Sequence, residues 1–139
     1  MIKKSLYIFA LNLKQIKMKI TKIIYWSSTV LLSILLLMSA GMYVFNNEEV
    51  SGVFEAFGYP TYIIYPLAVA KISAAIVLLS QKQSKIKEWA YAALFFEFVL
   101  AFFAHFMIGD GEQVGAIMAM TLLVVSYIFG RKLFNPKSV

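Results

Sequence analysis

Residues 62–108 decide the fold: YIIYPLAVAKISAAIVLL (62–79), SQKQSKIKE (80–88) and WAYAALFFEFVLAFFAHFMI (89–108). Two apolar runs, each close to the ~20 residues that cross a hydrocarbon core of about 30 Å, flank a short basic connection. Lipid offers no partner to backbone N–H and C=O groups, so such runs must be helices, and they lack the alternation of barrel strands. Working outward, Ile23–Phe45 and Gly111–Gly130 read the same way, with Val114–Phe129 the continuous apolar part of the latter. The expected fold is all-α, a polytopic four-transmembrane-helix bundle over residues 23–130. A basic segment (1–22) precedes it and a basic tail (131–139) follows.

Composition agrees. Of 139 residues, 61% are hydrophobic and 14% charged, and mean hydropathy is +0.78. Soluble domains carry roughly 45–50% apolar and about 25% charged residues. With no cysteine and one histidine, the sequence holds no thiolate set and no histidine cluster, so no metal site is expected. No phosphate loop, nucleophile constellation or dinucleotide fingerprint occurs, so independent catalysis has no residues to rest on.

The net charge of +6 is distributed by topology rather than along a nucleic-acid-binding face, so no nucleic-acid partner is expected. Lys3, Lys4, Lys14, Lys17, Lys19 and Lys22 precede the first span; Lys82, Lys85 and Lys87 join spans two and three; Arg131, Lys132 and Lys137 follow the fourth. The other two connections carry Glu48, Glu49, Glu55, Asp110 and Glu112 and no base. Retained loops are enriched in Lys and Arg, so both termini are expected in the cytoplasm, with the spans in a bacterial inner membrane. Tyr25, Trp26, Trp89, Tyr91 and Tyr127 fit an inner aromatic belt, and Tyr43, Tyr59 and Tyr62 an outer one.

Residues 1–22 admit two readings. One is a basic amphipathic segment on the anionic leaflet, with Leu6, Phe9, Leu13 and Ile16 on one face. The other, preferred here, is a floppy positive extension that fixes topology. No small-residue cleavage site follows the short apolar run, so no signal cleavage is expected, and translation starts at Met1 or Met18.

Between spans one and two, Val50, Val53, Phe54 and Phe57 fall at helical spacing. Asn46 is the expected cap, Glu48 and Glu49 suit the positive end of the dipole, and Gly58 with Pro60 suits the stop. The segment is expected as a short amphipathic helix over the outer mouth, or as a tight packing turn.

Inside the spans stand Lys71 and Glu97. An isolated charge at mid-span costs about 2.5–3.5 kcal/mol on the lenient insertion scale. Each lies eight residues from the inner end of its span, about 12 Å deep at 1.5 Å per residue. The hairpin therefore brings them to one level, where an ion pair relieves both. That pair reads either as a structural lock or as the floor of a ligand pocket. His105 stands eight residues beyond Glu97, near Asp110 in the turn Gly109-Asp110-Gly111. It reads as a hydrogen-bonded anchor, or as a proton-relay or quinone-carbonyl contact, since histidine titrates near neutrality. Lys71, Glu97, His105 and Asp110 are the candidate ligand-binding or proton-relay residues. Gly111, Gly115 and Ala119, like Ala70 and Ala74, follow small-xxx-small spacing and are expected to pack helices, within the bundle or in a homo-oligomer.

The order of these features resembles the DoxX-like small membrane proteins from about Lys22 to Lys132. The resemblance rests on Ser39-Ala40-Gly41, on Phe54-x-x-Phe57-Gly58-Tyr59-Pro60, on intramembrane Lys71, on Lys87-Glu88-Trp89, and on Glu97 followed by His105. It implies a four-helix bundle, and association of some relatives with membrane redox complexes or quinone-linked sulfur oxidation. The missing cysteines depart from relatives that use thiols, and the first 17 residues have no counterpart. The resulting expectation is an accessory redox subunit that holds a quinone-like lipophile beside Lys71, Glu97 and His105, with membrane redox subunits and the lipid bilayer as partners. Two other classes stand beside it: a proton-coupled small-molecule transporter, disfavoured because the carboxylate is paired, and a scaffold or assembly factor without ligand.

Overall fold

The computed structural model describes residues 2–80 and 84–134. Met1, Lys82 and the tail from 135 to 139, with Lys137, lie outside the described residues. Those described form helices and their connections: α1 (Ile2–Phe45), α2 (Asn47–Ala56), a 3-10 turn (Thr61–Ile63), α3 (Ile64–Leu79), α4 (Lys85–Ile108) and α5 (Gln113–Phe134). Among them, α1, α3 with its leading turn, α4 and α5 are long and apolar enough to cross a membrane.

Local chemistry sets the ends. At the start of α4 the Ser84 hydroxyl accepts the Lys87 backbone N–H at 3.3 Å, with Glu88 in the first turn. This satisfies one orphan donor and complements the dipole. Gly109 ends α4 at φ +68°, where its N–H reaches the His105 carbonyl at 3.0 Å. The α2 stop is a Schellman motif: Gly58, at φ +76°, bonds the Glu55 carbonyl, and the Tyr59 N–H bonds the Phe54 carbonyl, both at 2.9 Å. The accompanying apolar contact is the Phe54–Tyr59 ring pair, 6.4 Å between centroids. Phe54-x-x-Phe57-Gly58-Tyr59-Pro60 is thus a helix terminator whose aromatics also pack.

α1 is the spine. It packs α3 on one side and α5 on the other, and α5 packs α4, so the order around the bundle is α3, α1, α5, α4. The hairpin partners α3 and α4 touch each other only sparsely and leave a seam. The main core joins Leu32 and Leu36 of α1, Ala75 and Leu78 of α3, Leu94 and Phe98 of α4, and Leu123 of α5. Within a bilayer, lipid tails are as apolar as these side chains, so packing and polar contacts hold helices together more than water exclusion does.

Four expectations change. Residues 2–22 are neither floppy nor a separate surface helix: they continue the first span in one helix of 44 residues, about 66 Å long. No proline or glycine interrupts the chain before Gly41, and Leu6, Phe9, Leu13 and Ile16 are all exposed along it. Asn46 makes no side-chain cap; its N–H still bonds Met42 at 2.9 Å, so α2 follows α1 with almost no break. Val50 and Phe54 are buried with Ile64, but Val53 faces outward. Gly111, Gly115 and Ala70 do not pack the bundle: all three are exposed and Ala74 is half-buried. A Cβ built on Gly111 or Gly115 meets nothing within 4 Å. Of the expected stripe Ala119 alone is buried, on a face with Ala116, Leu123, Ser126 and Gly130, because steps of four residues advance about 40° around a helix and carry the two glycines off that face.

Candidate functional site

Toward the acidic end, Lys71 Nζ of α3 meets Glu97 Oε1 of α4 in an ion pair across the seam. Lys71 is buried, while the Glu97 side chain keeps 23% of its surface exposed. The ammonium also lies 5.2 Å from the centre of the Tyr43 ring. Tyr43 meets Phe54 edge to face at 5.6 Å, and Phe54 lies 6.2 Å from Phe57. Phe57 abuts the His105 imidazole at 4.8 Å. An aromatic wall from α1 and α2 therefore connects the buried pair to His105, and α2 covers the acidic mouth of the bundle. His105 does not bond Glu97; along α4 the two stand about 12 Å apart in height.

His105 Nδ1 lies 2.7 Å from Asp110 Oδ2, and the other Asp110 oxygen accepts the Glu112 N–H at 2.9 Å. The hydrogen bond from His105, helped by that backbone N–H, holds the Asp110 carboxyl below its ordinary range. A group with a depressed folded value stabilises the turn above its unfolded value, and the contribution fades as pH falls through the folded one. Acidification through the carboxylate range is therefore expected to free the α4–α5 turn, and Asp110→Asn to weaken it at neutral pH. Hydrogen exchange of the Glu112 amide reads this directly. Equal protection in wild type and variant would show that the link holds nothing.

Toward the basic end lies a second polar cluster that sequence reading missed. Lys87, expected as a loop base, is 1% exposed. Its ammonium donates to Ser80 O at 2.6 Å and to Tyr25 Oη at 3.0 Å, facing the rings of Tyr25 and Phe134. Tyr25 and Tyr91, expected as belt residues, are core side chains at 0% and 7% exposure, while Trp89 does point outward. Beside them runs a hydroxyl chain whose direction follows from proton counting. Thr29 Oγ1 spends its proton on the Tyr25 carbonyl at 2.7 Å. Ser126 must then donate to Thr29 at 2.6 Å, and Tyr91 to Ser126 at 2.8 Å. The available signal was Thr29 and Ser126 themselves, hydroxyls inside otherwise apolar spans.

A four-helix membrane bundle whose seam is bridged by a buried lysine–glutamate pair, under a short helix ended by a glycine-proline motif, defines the class of protein. The chain belongs to the DoxX-like family, whose model matches residues 27–129. That range takes in the ion pair, the aromatic wall and the three hydroxyls of Tyr91, Ser126 and Thr29, but not Tyr25. No curated protein and no solved structure matches the chain significantly.

Proposed function

We propose that this DoxX-like protein is an accessory subunit of a membrane redox system in the bacterial inner membrane, both termini cytoplasmic, and that it binds a quinone-like lipophile at the α3–α4 seam. The observation that carries the reading is the Lys71–Glu97 pair. It bridges α3 and α4, the neighbouring spans that pack most sparsely around the bundle, and the carboxylate is partly open at the side. A lipophile entering between α3 and α4 meets a lysine ammonium able to donate to a quinone carbonyl, a carboxylate able to exchange a proton with it, and the His105 imidazole above. The redox setting rests on the family. The chain has no cysteine, so any electron carrier held by thiolates belongs to a partner subunit.

Purification in mild detergent followed by extraction and mass measurement is expected to recover a quinone with the wild-type protein. The charge-neutral Lys71→Met, Glu97→Gln double variant is expected to retain about tenfold less, the worth of one charge-assisted hydrogen bond. Equal retention, with quinone-dependent respiration unchanged, would leave the pair as a structural lock and the protein as a scaffold.

A further inference from the structure

A cleft of about 270 Å³ opens between α4 and α5 in the basic half of the bundle, away from the Lys71–Glu97 seam. Glu88 and Tyr127 stand at its mouth, with Tyr91 as its floor. Ala92 and Phe95 of α4 face Leu123 and Val124 of α5 deeper in. From Glu88 to Phe95 the cleft runs seven residues along α4, about 10 Å from the interface toward mid-bilayer. Trp89, 78% exposed, marks that interface.

The two lips carry opposite charges. On α5, Arg131 donates to Tyr127 Oη at 3.0 Å, its guanidinium 5.8 Å from the Tyr127 ring centre. The Tyr127 hydroxyl, accepting that bond, keeps its own proton to give. On α4, Glu88 is exposed and has no ion-pair partner within 4 Å among the described residues. One edge thus offers donors and positive charge, the other a carboxylate, with a slot lined mainly by apolar side chains between them.

We infer that the α4–α5 cleft is a site for an aminophospholipid of the leaflet at the basic end. Its phosphate sits on Arg131 and the Tyr127 hydroxyl, its primary ammonium donates to Glu88, and one acyl chain lies against Ala92, Phe95, Leu123 and Val124. A phosphatidylcholine headgroup carries the same charges but no N–H to give Glu88, and phosphatidylglycerol has no cation at all. Charge and hydrogen bonding therefore select phosphatidylethanolamine.

The test uses the full chain, delipidated in mild detergent and offered an equal mixture of phosphatidylethanolamine, phosphatidylcholine and phosphatidylglycerol, with bound lipid read by native mass spectrometry. Wild type is expected to retain phosphatidylethanolamine about fivefold over phosphatidylcholine, the scale of one interfacial charge contact. Glu88→Met, which removes the acceptor, is expected to bring that ratio to about one, and Arg131→Gln to weaken all three lipids. Ala92→Phe fills the slot with the lips intact and is expected to lower retention of every lipid. A wild type that retains the ethanolamine and choline lipids equally, or a Glu88→Met variant that keeps the preference, overturns the assignment. The site stands apart from the quinone reading: the Lys71→Met, Glu97→Gln variant is expected to leave the lipid ratio unchanged.

Discussion

Lys71→Met alone is expected to destabilise the bundle by about 3 kcal/mol, whereas the Lys71→Met, Glu97→Gln double variant is expected to lie within about 1 kcal/mol of wild type. Removing one partner leaves the Glu97 carboxyl at mid-span with its charge uncompensated, and that penalty exceeds what the intact pair contributes. Neutralising both removes the attraction and the desolvation penalty together. Glu97→Gln alone leaves the Lys71 ammonium without a counter-charge, facing an amide oxygen and the Tyr43 ring, 5.2 Å away, and is expected to destabilise in the same direction as Lys71→Met but by less. Thermal melting in one detergent, completed as a double-mutant cycle, measures the coupling. A single variant that melts like wild type would show that the bridge across the α3–α4 seam carries no stability. The quinone measurement on the double variant then reports ligand binding in a folded protein.

The second large effect is expected at Gly130. A Cβ there would lie 2.9 Å from Tyr25 Cε2, and the Tyr25 ring has little room to retreat. It is fully buried, set edge to face against Trp26 and Phe134, and its hydroxyl is tied to Lys87. Gly130→Leu must push α5 from α1 or expel the ring, at about 3 kcal/mol for overpacking. Gly130→Ala is expected to cost about 1 kcal/mol. The larger variant should also release Lys87, since its ammonium and the Tyr25 ring share one space. Melting temperatures check the order, and a Gly130→Leu variant as stable as wild type would mean that the α1–α5 contact is loose. Gly115→Leu serves as the control, because that position is open, and is expected to be near neutral.

The two glycines show where sequence reading stops. Gly115 belongs to a small-xxx-small stripe and packs nothing in the bundle; Gly130 belongs to no recognised pattern and makes the tight contact. Spacing along one helix says which residues share a face, but not which face meets a neighbour. Lys87 makes the same point about charge. As one of three bases in a short connection it counts toward topology, yet the first turn of α4 carries it under Tyr25 and Phe134. The Lys71–Glu97 meeting was legible because two depths counted from span ends, plus a short hairpin, leave little geometric freedom. The Phe54–Pro60 stop was legible because a glycine in the left-handed region terminates a helix by local bonds.

Helix number, the span cores, the helix stops and the levels of the intramembrane charges are dictated locally. Backbone hydrogen bonds must close within each segment in lipid, and rise per residue converts position into depth. The order of helices around α1, the seam between α3 and α4, the burial of Lys87 and the hydroxyl chain from Tyr91 to Tyr25 emerge only when helices dock. In a bilayer no solvent contrast tells one apolar face from another, so shape fit and a few polar partners on distant segments choose among them.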